Sequence, residues 1–134
     1  MKSSDKELVK GYVQKAQKKL EVAKRLFTNG DYEDSVSRSY YAVFHAAQGL
    51  LLTEGEHAST HKGVLTLFSL LFVKTGRFMK NLGKYLSNLK DDRESGDYEI
   101  FSYIDEDTAD TALREAEEFI NQTILYLQKT GLMD

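Results

Sequence analysis

The chain has 134 residues, 29% charged and 41% hydrophobic, with a formal net charge of −3, no cysteine and no proline. That length suffices for one domain, 1–134, with a core that needs no covalent staples. The missing cysteines exclude disulfides, thiolate nucleophiles and cysteine-ligated metals.

Charge is unevenly spread. Residues 1–90 hold 15 Lys/Arg against 8 Asp/Glu, and residues 91–134 hold 3 against 13. The plain reading is solvated helix faces with attraction between the halves; the sharper one is a basic part turned toward a phosphate-bearing partner. No apolar run approaches the roughly 18–20 residues of a membrane span. The N-terminal MKSSDKELVK carries no signal-peptide apolar core, so a cytoplasmic protein is expected.

Without proline, and with glycine as punctuation, the pattern predicts long helices stopped by glycine caps. Ser4 with Glu7 reads as a capping box for a first helix. Its apolar face is Leu8, Tyr12, Ala16, Leu20, Ala23 and Phe27, and lysines fill much of the rest. Gly30 ends it. Asp31 is expected to cap a second helix at once, making an antiparallel hairpin.

The second helix, to Thr53, is apolar nearly all round yet contains Arg38 and His45. Seven residues are about two turns, so both project from one side. At about 100° per residue, Val36, Tyr40, Val43, Phe44, Ala47, Leu50 and Leu51 fall within roughly 120°, the expected core face. Arg38 and His45 lie opposite, among Asp34, Ala42, Gly49 and Leu52, with Tyr41 at the margin. Small residues there admit another backbone, and a second subunit is the expected occupant.

Residues 54–59 read as a loop, and Ser59 or Thr60 as the cap of a third helix rich in Leu, Phe and Val to Val73, expected to be buried. Gly76 stops it. A fourth helix is expected over about 78–94, with Leu82, Tyr85, Leu86 and Leu89 as its stripe. Residues 95–104 break the period. Asp105 or Asp107 caps the last helix, whose apolar face runs from Ala109 to Leu127 and which ends at Gly131. The expected fold is all-α, an antiparallel bundle of four to five helices with no sheet.

Arginine holds a phosphate as a planar fork, and histidine exchanges a proton near neutral pH. Together they suffice, without metal, for attack of a ribose 2′-hydroxyl on its neighbouring phosphate. A plainer reading pairs Arg38 with Asp34 and makes His45 a hydrogen-bonded core histidine. His57 and His61 have a spacing that suits zinc on a helix, but His57 falls in the loop, so no metal site is expected. No glycine-rich phosphate loop and no nucleophile–histidine–acid triad is identifiable. The aromatics read mainly as core and interface residues. Tyr41, bordering the Arg/His face, is a candidate for base stacking.

Gly30-Asp31-Tyr32, Arg38-Ser39-Tyr40-Tyr41-Ala42-Val43-Phe44-His45, Thr60-His61-Lys62-Gly63, and Arg93 with Asp97-Tyr98 together resemble the HEPN superfamily. More narrowly, the chain resembles its small stand-alone UPF0332-type proteins. The resemblance implies a dimerising helical bundle and an R-x(4–6)-H motif, met by Arg38 and His45. In active members this is a metal-independent endoribonuclease site formed where two subunits meet. Arg38 and His45 are then the catalytic candidates, and Tyr41, His61, Lys62 and Arg93 the nucleotide- or RNA-binding candidates. No cofactor is expected. The implied partners are RNA or a nucleotide, a second copy through the Arg38, Ala42, His45, Gly49 face, and a minimal nucleotidyltransferase of a toxin–antitoxin pair. The alternative is a non-catalytic nucleotide-binding or scaffold subunit for that nucleotidyltransferase. A third reading is a purely structural interaction bundle. Active superfamily nucleases often carry Asn, Asp or His after the arginine, where this chain has Ser39. One toxin subgroup carries a tyrosine that its partner modifies two residues after the histidine, where this chain has Ala47.

Overall fold

A computed structural model describes residues 3–98 and 103–134. Among them are five helices: α1 Ser3–Thr28, α2 Tyr32–Thr53, α3 His61–Phe68, α4 Lys80–Tyr98 and α5 Glu106–Lys129. Helix α3 runs on through a π-helical turn, Ser69–Val73, closed by the Lys74 N–H donating to the Ser69 carbonyl at 2.9 Å. No strand occurs among the described residues. The all-α expectation therefore stands.

Helix α2 is the hub. It packs on α1 most extensively, and also on α5, α4 and α3. Its core face matches the angular reading: Val36, Tyr40, Val43, Phe44, Ala47, Leu50 and Leu51 are all buried. Gly30, at φ 82°, makes the turn between α1 and α2 in a conformation that L side chains avoid. Asp31 occupies the N-cap position without a side-chain cap bond. Thr60 and Asp105 do cap, accepting from the Gly63 and Thr108 N–H groups.

Several expectations need correction. The buried stripe of α1 is Val9, Val13, Ala16, Leu20 and Ala23, whereas Leu8 is exposed. Ser4 lies inside α1 rather than ahead of it. The α3 segment is only half submerged: Val64, Phe68 and Phe72 are buried, but Leu70 faces outward. Helix α4 starts two residues later and continues through Ser95 and Gly96, where a break was expected. A Cβ on Gly96 would stand 3.4 Å from Ile104, an ordinary contact with the segment that leads into α5. Residues 99–102 of the expected break lie outside the described residues.

The largest correction concerns the small-residue face of α2. Ala42 and Gly49 are both fully buried within the monomer. Helix α1 covers Gly49: a Cβ there would meet Tyr12 Cβ at 3.2 Å and the Val9 carbonyl oxygen at 3.6 Å. The small residues admit a neighbouring backbone, as the pattern implied, but it belongs to the same chain. The outer side of α2 that is left is a stripe at helical spacing: exposed Arg38, then half-buried Tyr41, His45, Gln48 and Leu52.

The α1–α2 seam also holds a buried polar bond, Ser35 Oγ donating to the Ala23 carbonyl at 2.8 Å. One turn on, Ser39 is equally buried, and its Oγ has no hydrogen-bond partner. Two outcomes are expected in denaturant unfolding. Gly49→Val should lose about 1–3 kcal/mol by overpacking the seam. Ser35→Ala should lose about 1 kcal/mol, while Ser39→Ala should be neutral or stabilising, since it removes an unsatisfied group. A Ser39→Ala loss as large as that of Ser35→Ala would contradict the assignment.

Candidate functional site

The outer stripe of α2 carries the two sequence-predicted catalytic candidates. Arg38 is exposed and makes no ion pair among the described residues, so the expected Arg38–Asp34 bridge is absent there. Two turns on, His45 is half-buried. Its Nδ1–H donates to Gln48 Oε1 at 2.9 Å. That bond fixes the tautomer and leaves Nε2 with a free lone pair. Burial holds the His45 pKa below 6.5, and Lys15 and Lys19 of α1 add repulsion against the imidazolium. The Gln48 contact opposes both effects. The imidazole is thus a neutral base near pH 7.

Three of the four binding candidates gather beside it. The Tyr41 ring centre lies 6.3 Å from that of His45 and 6.1 Å from that of His61. From α4, the Arg93 guanidinium stands 5.2 Å from the Tyr41 ring centre and 5.6 Å from that of Tyr40. It also pairs with Asp97 at 3.1 Å. Lys62 follows His61 on α3 but is exposed, and no contact ties it to the group. Helices α2, α3 and α4 therefore converge on one aromatic, cationic patch next to His45.

Two residues at the site were read from sequence only as core or not singled out. Tyr40, fully buried, hydrogen-bonds through its hydroxyl to His61 Nδ1. Gln48 sets the tautomer of His45. Gln48 was discoverable as the i+3 neighbour of His45 on one helix. The Tyr40–His61 pairing spans 21 residues and two helices, and no local pattern announces it. Burial lowers the His61 pKa, and Arg93 and Lys90 push it the same way, with Glu94 opposing. Burial also raises the Tyr40 pKa, so its hydroxyl keeps its proton.

His57 lies exposed in the loop and His61 opens α3, so no one helix carries both. Among the described residues no helix is long and apolar enough to cross a membrane. The positions that depart from the resemblance are both inside the core. Ser39 and Ala47 are fully buried, off the outer stripe. Neither reaches the surface that carries Arg38 and His45.

An all-helical bundle with an outward arginine and a tautomer-fixed histidine on its central helix defines the class. The HEPN domain profile matches residues 9–125, so the chain belongs to the HEPN family. It is 34% identical over 121 residues to a Methanocaldococcus jannaschii protein named "Putative toxin MJ0142", covering 90% of this chain and 82% of that protein. It is 35% identical to a UPF0332 protein of Thermotoga maritima, covering 85% and 86% of the two chains. The crystal structure of TT1696 from Thermus thermophilus shares the fold at a TM-score of 0.77 and 20% identity, over 89% of this chain and 98% of that one.

Both imidazoles bind a proton more weakly folded than unfolded. Their contribution to stability is therefore fully present above about 6.5, the unfolded value, and is lost as pH falls through the lowered folded values. Histidine-resolved NMR titration should place both midpoints below 6.5. Gln48→Leu should move that of His45 lower still, because the only contact favouring the imidazolium goes. A rise in that variant would contradict the assignment.

Proposed function

We propose that the chain is a single-domain, metal-independent endoribonuclease of toxin type, working as a homodimer joined along the outer stripe of α2. The observation that carries this is the His45–Gln48 bond. It leaves Nε2 as an acceptor, on the stripe that also holds Arg38, which makes no ion pair among the described residues. Membership of the HEPN family and the toxin name of a relative support the same reading.

In this reading His45 Nε2 takes the proton of a ribose 2′-hydroxyl. The 2′-oxygen bonds to phosphorus as the bond to the 5′-oxygen breaks, leaving a 2′,3′-cyclic phosphate. The departing 5′-oxygen takes up a proton from solvent water, and the imidazolium formed at His45 gives its extra proton back to solvent. Arg38, about 10 Å along the helix axis, clamps the phosphoryl oxygens with its planar fork. The stripe has room for this because Ala42 and Gly49 are buried within the monomer, so the dimer contact falls to Tyr41, His45, Gln48 and Leu52. A cytoplasmic setting accords with this substrate.

The Tyr41–Arg93–His61 group favours one further reading, a nucleotide-binding subunit for a nucleotidyltransferase partner. A cation over an aromatic ring beside an imidazole suits a base and its phosphate.

In chelator, wild-type protein should cut single-stranded RNA. His45→Ala should reduce the rate at least about 100-fold, the general-base contribution, with the dimer intact by ultracentrifugation. Arg38→Ala should also slow cleavage strongly. If the wild type cuts nothing, or His45→Ala cuts equally well, the nuclease reading fails. Nucleotide binding without turnover would establish the second reading instead.

A further inference from the structure

His61 opens α3, on the patch that Tyr41 shares with His45, and its two ring nitrogens have different surroundings. Nδ1 faces inward, to the buried Tyr40 hydroxyl. That hydroxyl must place its proton somewhere, and the His61 nitrogen is its partner. Were Nδ1 to donate instead, the Tyr40 proton would be left buried without an acceptor, at a cost of roughly 1–3 kcal/mol. Tyr40 therefore donates, Nδ1 accepts, and the neutral ring carries its proton on Nε2.

The ring is held in place as well as in tautomer. It stacks on Phe44 with centres 4.6 Å apart and planes at 29°. The same Phe44 ring lies 5.8 Å from His45. Tyr41 lies beside both imidazoles as well, tilted at 32° to His45 and edge-on at 69° to His61. His61 Nε2 is the ring nitrogen away from Tyr40, on a partly exposed residue, and no described residue takes up its hydrogen.

The two histidines are thus set in opposite senses. Gln48 makes His45 an Nε2 acceptor, and Tyr40 makes His61 an Nε2–H donor. We propose that His61 is a neutral hydrogen-bond donor to a phosphoryl oxygen of the RNA held at His45, with Tyr40 as the residue that positions it. A general acid must carry an extra proton. His61 does not, because an imidazolium at this position would meet Tyr40 as a second donor and would face Arg93 and Lys90. Glu94, already bound to Lys90 at 2.8 Å, and the rings of Tyr41 and Phe44 complete the surroundings. His61 therefore stabilises charge on the phosphoryl group, while proton transfer belongs to His45. This inference rests on the nuclease reading for its reaction, but not for its tautomer or its ligand.

Two substitutions separate a donor from a merely structural histidine. Asparagine places its amide near Nδ1, so His61→Asn keeps an acceptor for Tyr40 and lacks the outer donor. Glutamine places its amide near Nε2. In the double variant Tyr40→Phe/His61→Gln the outer donor is kept and no buried hydroxyl is stranded. The probe is an uncleavable 2′-O-methyl oligoribonucleotide. His61→Asn should bind it roughly 10-fold more weakly, the value of one charge-assisted hydrogen bond. The double variant should stay within about 3-fold of wild type and keep the shape of the cleavage pH profile. Nitrogen NMR of the free wild type should show His61 protonated at Nε2 alone, with that resonance shifting when the oligonucleotide is added.

The proposal is overturned if His61 is protonated at Nδ1, or if the order of the two variants is reversed. It is also overturned if the double variant alters the pH profile, or if the oligonucleotide leaves the His61 resonances unmoved. If the wild type binds with these signatures yet cuts no RNA, the donor assignment holds and only the nuclease reading falls.

Discussion

Everything at the site follows from how completely α2 is surrounded. Four other helical segments pack on it, and α1 lies so close that a carbon added at Gly49 would crowd Tyr12. A helix buried on most sides has its rotation fixed, because turning it by one residue would push apolar groups into water and polar ones into the core. The only strip left over is the one at 38, 41, 45, 48 and 52. Arg38 and His45 face outward because no other angle is available to them. Tight packing of Ala42 and Gly49 is therefore part of the monomer, and it leaves the strip as the one face of α2 open to a partner.

A second layer of constraint runs across the bundle. Tyr40 looks inward from α2, bonds to His61 at the start of α3, and lies under the guanidinium of Arg93 on α4. Such a polar group inside a core is costly unless every member is satisfied. Here burial keeps the Tyr40 hydroxyl protonated, the hydroxyl satisfies the imidazole, and burial together with the cations nearby favours that imidazole's neutral form. The same interactions that hold three helices in register thus also fix a protonation state. Structure and chemistry meet at Tyr40, whose hydroxyl both joins α2 to α3 and sets the face His61 shows to solvent.

How much of this was legible in the sequence depended on whether the information was local. The 3.6 period of α2 gave its core face correctly, residue by residue, since every position on that arc has its neighbours decided by angle alone. The stripe of α1 was less readable, because Leu8 and Val9 are both apolar and only packing against α2 decides which is inside. The small residues of α2 announced a close approach but not whose backbone approaches. Gly96 misled differently: glycine often signals a stop, and here it sits inside a continuing helix beside Ile104. The Gln48 bond lay within one turn and could be inferred, whereas the Tyr40–His61 bond joins two helices and could not.

The two departures from the family motif are best understood through the same geometry. Position 39 is one residue, or about 100°, round the helix from Arg38. In this chain that angle points into the α1 side of the core, where Ser39 is fully buried and its hydroxyl unpartnered. A larger polar residue there would need space and partners that this packing does not offer. Ala47 likewise sits with no exposed surface, where an aromatic ring would collide with the interior. Both substitutions are thus consistent with close packing of α2 in this bundle. Neither removes a group from the outer stripe, where Arg38, His45 and Gln48 stand. A chain that keeps its stripe while shrinking the residues behind it has changed how the helix is held, not what the helix presents.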